Sequence, residues 1–233
     1  MTNEISMTQA AENSIAPPLH DEILAGIREM IFTGTLIGGQ RVPEKMICEQ
    51  LSISRTPLRE ALKVLASEGL LELLPNRGAR ASRLTAAEGD EMFPVMGALE
   101  GLAGEIACQR ISDDGIDEIR ALHYQMAAHH KRREFSEYFC LNQQIHENIM
   151  AATGNATLAI MYASLAARIR MARYRANFSQ SRWDQAMAEH DEILSALTER
   201  DGPRLTRVLS AHLKNTCETV KKVIFNAEAE EAP

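Results

Sequence analysis

Asn142 and His146 stand four residues apart in the run LNQQIHENIMAATGN, so on a helix they share one face. His190 lies near the start of a later segment and His212 midway along the next. His146 is flanked by Ile145 and Ile149, and His212 by Leu209 and Leu213, which places these rings beside core-facing stripes. Three neutral imidazoles gathered inside a helical bundle could ligate a divalent metal, with a polar oxygen beside them and positions left for water or a carboxylate. Zinc and nickel suit imidazole nitrogen, whereas manganese prefers more oxygen. A second group is basic. Arg55, Arg59 and Lys63 recur at i, i+4 and i+8, on a face separate from the apolar side of Leu58, Ala61, Leu62 and Leu65. Such a face suits the DNA major groove, where arginine donates two hydrogen bonds to guanine O6 and N7. Lys45 and Arg77 are placed to meet backbone phosphates. A third group is Arg168, Arg170, Arg173 and Arg175 on one segment. Arg168 and Arg175 share a face there and, with Arg182, are candidates for a bidentate contact to a small organic acid.

The elements that must carry these residues are mostly helical. Residues 1–18 are polar, aperiodic and end in Pro17-Pro18, a flexible arm. Apolar periodicity predicts helices near 20–33, 44–51 and 55–68, the last two joined by the tight connection Ser52-Ile53-Ser54. Ser54 or Thr56 can cap the third helix, and Pro57 suits its first turn. Leu71, Leu73 and Leu74 read as a strand, Pro75-Asn76-Arg77-Gly78 as a turn, and 79–83 as the return strand. Three helices and a hairpin within 19–84 make a winged helix-turn-helix. From Thr85, whose Thr-x-x-Glu88 spacing signals a capping box, the pattern is helical. Helices are expected near 86–110, 113–132, 135–153, 155–178, 182–200 and 203–225. They make an all-α bundle over 85–226, followed by an acidic frayed tail at 227–233.

Composition narrows the classes. The chain has 233 residues, 45% hydrophobic and 24% charged, enough to bury an ordinary core. The net charge of -7 is unevenly placed: 20–84 carries +1 and the stretch from Thr85 onward carries -6. DNA binding needs only a local basic surface, and the first of these stretches has one. Cys48, Cys108, Cys140 and Cys217 are scattered without a C-x-x-C pair, which argues against a disulfide framework or thiolate zinc site and favours a reducing cytoplasm. No apolar run approaches the ~20 residues that span a membrane, and the first residues lack the basic start and apolar stretch of a signal peptide. His20, His123, His129 and His130 have no apolar setting of the kind above and are read as surface residues.

The run SISRTPLREALKVLASEGLLELLPNRGARAS closely resembles the winged helix-turn-helix of GntR-family transcription regulators, over 20–84. The resemblance implies that Arg55, Thr56 and Arg59 contact operator bases and phosphates. It places Lys45 where the family has a basic residue, and Gly78 at the wing tip. The later pieces LEGLAGEIA, N-x-x-x-I-H-x-x-I-x-x-A-x-G-N, EH-x-x-I-x-x-A-L and the pair His212-Leu213 resemble the helical ligand-binding domain of the FadR branch, the FCD domain. Asn142, His146, His190 and His212 match that domain's metal-ligand positions, with Asn142 where many relatives have Asp. Losing that charge implies weaker metal binding. Met96 and Gly97 stand where relatives often carry an arginine. The resemblance further implies a homodimer on palindromic double-stranded operator DNA, with a small organic acid as effector. The competing reading is a metal-dependent enzyme built in a helical bundle, which usually needs several inward carboxylates and paired Glu-x-x-His motifs. This chain offers only an isolated Glu189 beside His190 and no base paired with a nucleophile, and an enzyme leaves the winged helix without a purpose. In a third reading the histidines merely pack a dimerisation domain that binds no ligand.

Overall fold

The computed structural model describes residues 19–176 and 180–230, with side chains over 20–173 and 180–222. The expected N-terminal arm, the side chain of Arg175, and residues 231–233 of the tail lie outside the described residues. Among these, α1 (Leu19–Phe32), α2 (Glu44–Gln50), α3 (Arg55–Ser67), β1 (Leu71–Leu74) and β2 (Gly78–Ala81) come first in the chain. They enclose one core of Ile23, Ile27, Ile47, Leu58, Leu62 and Leu65 among others. Between α2 and α3 the chain turns at Ser52, whose φ of 54° is left-handed. An Ile53 N–H donates back to Cys48 O at 3.0 Å there. β1 and β2 pair antiparallel from Leu71↔Ala81 to Leu74↔Gly78. Pro75 and Asn76 form their turn, closed by Arg77 N–H donating to Leu74 O at 2.9 Å. The free edge of β2 is covered too, since Ala79 O and Ala81 O accept from Val42 and Gly39. The hairpin is therefore held on both sides, as a wing of fixed position.

Next come α4 (Ala86–Arg110), α5 (Asp113–Arg132), α6 (Phe135–Ala152), α7 (Ala156–Ala176), α8 (Gln180–Thr198) and α9 (Gly202–Glu230). The capping box is present: Glu88 N–H donates to Thr85 Oγ1 while Thr85 N–H donates to Glu88 Oε2. α4 presents Gly97, Gly101 and Gly104 to α9, so the two helices approach closely. A Cβ at Gly104 would lie 2.8 Å from Leu209 Cδ1 and 2.9 Å from Leu205 Cγ. Thr206 and Ser210 of α9 donate their hydroxyls to Gly101 O and Gly97 O. α9 runs on to Glu230, past the helix end and into the acidic tail that the sequence suggested. Ala and Glu are good helix formers, and no breaker occurs there before Pro233.

α7 belongs to two cores at once. Ala167 and Met171, four residues apart, pack into the core of the N-terminal elements, while Ile169 and Ala172 pack with α4, α6 and α9. Arg170 lies over the Phe32 ring of α1, 4.3 Å from its centroid. No described helix is long and apolar enough to cross a membrane.

Candidate DNA interface and buried histidine centre

The residues expected to meet DNA are divided between α2, α3 and the wing. Arg55, Thr56, Arg59 and Lys63 are exposed on α3, while Leu58, Ala61, Leu62 and Leu65 are buried beneath. Lys63 pairs with Glu60 at 2.8 Å, an exposed contact of little energetic weight that DNA phosphates can replace. Ser54 occupies the N-cap position but makes no side-chain cap bond, which leaves the first N–H groups of α3 available to an anion. Arg59, Lys63, Asn76, Gly78 and Glu44 line one groove between α3 and the wing. Gly78 needs its residue type twice over, by a φ of +79° and because a Cβ would come 2.6 Å from Glu44 Oε1. Lys45 is exposed at the start of α2. Sequence reasoning missed Arg41 and Arg80, which join Arg77 along the outer edge of the wing. Their signal was the pairing of residues 39–42 with β2, invisible from spacing alone.

His146, His190 and His212 come from α6, α8 and α9 and meet at the centre of the bundle, 3%, 1% and 2% exposed. Their candidate donor nitrogens all lie within 4.8 Å of one another. Asn142, one turn before His146, joins them, its Nδ2 donating to His190 Nε2 at 2.6 Å. A residue not singled out beforehand completes the centre. Arg173 of α7, 3% exposed, directs Nη2 at His146 Nε2 and His212 Nε2, both at 3.0 Å, and at Asn142 Oδ1 at 3.3 Å.

Arginine only donates, which fixes the remaining protons. Nε2 of His146 and of His212 must accept, so each neutral ring carries its proton on Nδ1. Each Nδ1 faces a carboxylate: Glu100 Oε2 at 2.9 Å from His146, and Glu189 Oε2 at 2.6 Å from His212. The bond from Arg173 to Oδ1 likewise orients the Asn142 amide, nitrogen toward His190. Burial holds His190 and His212 well below the ordinary imidazole pKa, reinforced by the neighbouring histidines and by Arg173. Burial alone would raise Glu100, but the neighbouring His146 ring and the Arg173 guanidinium outweigh it and hold its carboxyl below the usual carboxylate range. Glu100 was another residue the sequence reading passed over.

The arginine expectations divide. Arg168 does not enter the centre: it pairs with Glu88 of α4 and packs its Cδ against Gly69. Arg173 is the inward residue of α7 instead. Arg182 is buried, 4% exposed, donating through Nη2 to Glu189 Oε2 at 2.8 Å and Thr216 Oγ1 at 2.9 Å. Among the described residues its buried Nε and Nη1 have no hydrogen-bond partner. The surface reading of three histidines is corrected. His123 is buried and meets Asp191 at 2.9 Å, and His129 and His130 are half-buried against Glu134 and Asp184. His123 follows Ile116 and Ile119 on the buried stripe of α5, a spacing that could have revealed it.

This donor set suits a divalent cation. Three neutral imidazoles converge through Nε2; His212 is aligned from behind by Glu189, the arrangement that fixes ring orientation and basicity in metal sites, and Glu100 lies 2.9 Å behind His146 without hydrogen-bond geometry. His146, His190, His212 and Asn142 through Oδ1 would hold the ion. As it stands, the cluster balances the carboxylates of Glu100 and Glu189 with the guanidinium groups of Arg173 and Arg182.

Residues 19–80 match the family described as "Bacterial regulatory proteins, gntR family", and residues 91–215 match the FCD domain. The uncharacterized HTH-type transcriptional regulator YdhC of Bacillus subtilis is 26% identical over 208 residues, 89% of this chain and 93% of that protein. The HTH-type transcriptional repressor RspR of Escherichia coli K12 is 24% identical over 218 residues, 93% and 95% of the two chains. Among solved structures, E. coli McbR/YncC has the same fold, with a TM-score of 0.81 at 19% identity, covering 89% of this chain and 99% of that one.

Proposed function

The chain belongs to the GntR family of bacterial DNA-binding transcription regulators and carries their FCD domain, and from this premise we propose that its operator affinity is set by a small ligand held at the buried histidine centre. It is a regulator and not an enzyme. The division of labour follows the chain: 19–84 reads DNA and 85–226 senses. Arg55, Thr56, Arg59 and Lys63 meet the major groove; Lys45, Arg77 and Gly78 meet the backbone and the wing's groove. Two copies act together on a palindromic operator, so a ligand that favours one spacing of the two heads changes operator affinity by its own differential affinity for that state.

The ligand is a small organic acid, with or without a divalent metal held by Asn142, His146, His190 and His212. One observation carries this reading: Arg182 is buried with Nε and Nη1 unpartnered among the described residues, at the edge of a cluster of neutral imidazoles. Leaving buried guanidinium donors unmatched costs stability, and a carboxylate could accept from either of them. A metal at the histidines would supply an electropositive centre for that same carboxylate.

The test is thermal unfolding of chelator-stripped protein against zinc, nickel and manganese crossed with small carboxylic acids. Native-state ligands raise the midpoint with occupancy. A rise with an acid, enlarged by one metal, supports the sensor reading. No response to any acid or metal would leave the histidines as packing residues and sink it.

A further inference from the structure

We propose that Arg173 is a built-in cation competing with divalent metal for the histidine centre, and that α7 carries its displacement to the DNA-reading elements. The inference rests on reading the buried cluster as the ligand site. Its basis is a count of lone pairs. A neutral imidazole protonated on Nδ1 has a single lone pair, on Nε2. In His146 and His212 that pair accepts a hydrogen bond from Arg173 Nη2, and in His190 it accepts one from Asn142 Nδ2. All three pairs that a metal would need are therefore already taken by protein N–H groups. Two bonds come from Arg173, whose Nη2 has two hydrogens for three acceptors and so also leans on Asn142 Oδ1, at the longer 3.3 Å, only by sharing one of them, and the third comes from the Asn142 amide. A metal can enter only if Arg173 withdraws and the Asn142 amide turns its oxygen inward.

Charge gives the same result. With Arg173 in place the two carboxylates and two guanidinium groups balance, and a divalent ion would add two uncompensated charges to a buried site. Removing Arg173 from the centre while a monoanionic acid binds Arg182 restores the balance. Metal and acid are thus expected to bind cooperatively.

The second half of the proposal follows from where Arg173 is rooted. Two residues before it on α7 is Met171, and six before it is Ala167, both packed in the core of the DNA-reading elements. Arg170 stacks on Phe32 of α1, and Arg168 holds Glu88 at the start of α4 while pressing on Gly69 after α3. A shift of Arg173 that moves α7 is felt at α1 and at the end of α3 without passing through any other helix.

The test titrates nickel ion alone into chelator-stripped full-length protein by calorimetry, comparing wild type, Arg173→Met and His146→Ala. The expected result is binding at least tenfold tighter in Arg173→Met than in wild type, and none in His146→Ala. Equal or weaker binding in Arg173→Met overturns the competition while leaving the metal site standing. Binding that survives His146→Ala, or no nickel binding by wild type and Arg173→Met alike, overturns the site reading and this proposal with it. A measurement on wild type alone guards against misfolding of the variant: hydrogen exchange with and without nickel. Exchange changing both in 165–173 and around Phe32 is expected; nickel binding with exchange unchanged there overturns the transmission.

Discussion

Glu189 Oε2 lies 2.6 Å from His212 Nδ1, and the same oxygen accepts from Arg182 Nη2 at 2.8 Å. Its other oxygen accepts from Asn215 Nδ2 at 2.7 Å. One carboxylate therefore aligns a histidine of the centre and anchors the arginine proposed to bind the acid. Replacing it by an amide, Glu189→Gln, is expected to weaken nickel binding about 10–100-fold, the usual effect of losing a carboxylate behind a metal-binding histidine. It should weaken binding of the carboxylic acid as well. Calorimetry on both ligands checks this, and unchanged affinities would show that Glu189 orients neither group.

Asn142→Asp restores a negative charge beside the three imidazoles. Nickel affinity is expected to rise by about tenfold or more, since a charged oxygen is a better ligand than an amide carbonyl and offsets the charge of the ion. A fall in affinity would mean that the new carboxylate is held by Arg173 and not offered to the metal.

On α3, Arg59→Ala should cost operator binding about 1–3 kcal/mol and relax preference at one base position, with the protein still folded. Lys45→Ala should instead weaken binding to all sequences alike and lower the salt dependence by about one unit of slope. Fluorescence anisotropy against specific and scrambled duplexes at several salt concentrations separates the two. Operator affinity that is untouched in Arg59→Ala removes α3's basic face from base reading.

The α4–α9 contact predicts a packing cost. Gly104→Val forces side-chain carbon into Leu205 and Leu209, and should destabilise the fold by about 1–3 kcal/mol. Denaturant unfolding followed by circular dichroism measures it. A stability equal to wild type would mean that α9 can move away without loss.

The order of helices and the wing were legible because each boundary carries its own chemistry, from Thr85 and Glu88 at the start of α4 to Ser112 at the N-cap of α5. The histidines were legible as well, through their apolar flanks and their family positions. The arginines were not. α7 is embedded on several sides, with Ala167, Ile169, Met171 and Ala172 all in cores, so periodicity does not tell which of its arginines points inward. Glu100 was hidden for the opposite reason. It lies in LEGLAGEIA, where small residues mark close helix packing and a lone acid gives no periodic signal. Its partners, His146 and Arg173, are supplied by helices far away in sequence.

Met171 and Ala167 also have a consequence for how the protein is made. The core formed by residues 23–81 is closed on one side by these two residues of α7, which leave the ribosome about 90 residues after Ala81. At synthesis rates of about 5–20 residues per second, the newborn DNA-reading unit waits roughly 5–18 s with an apolar edge uncovered. A fragment ending after the wing would keep that edge exposed permanently, so the unit is completed only by a helix belonging to the half of the chain that senses.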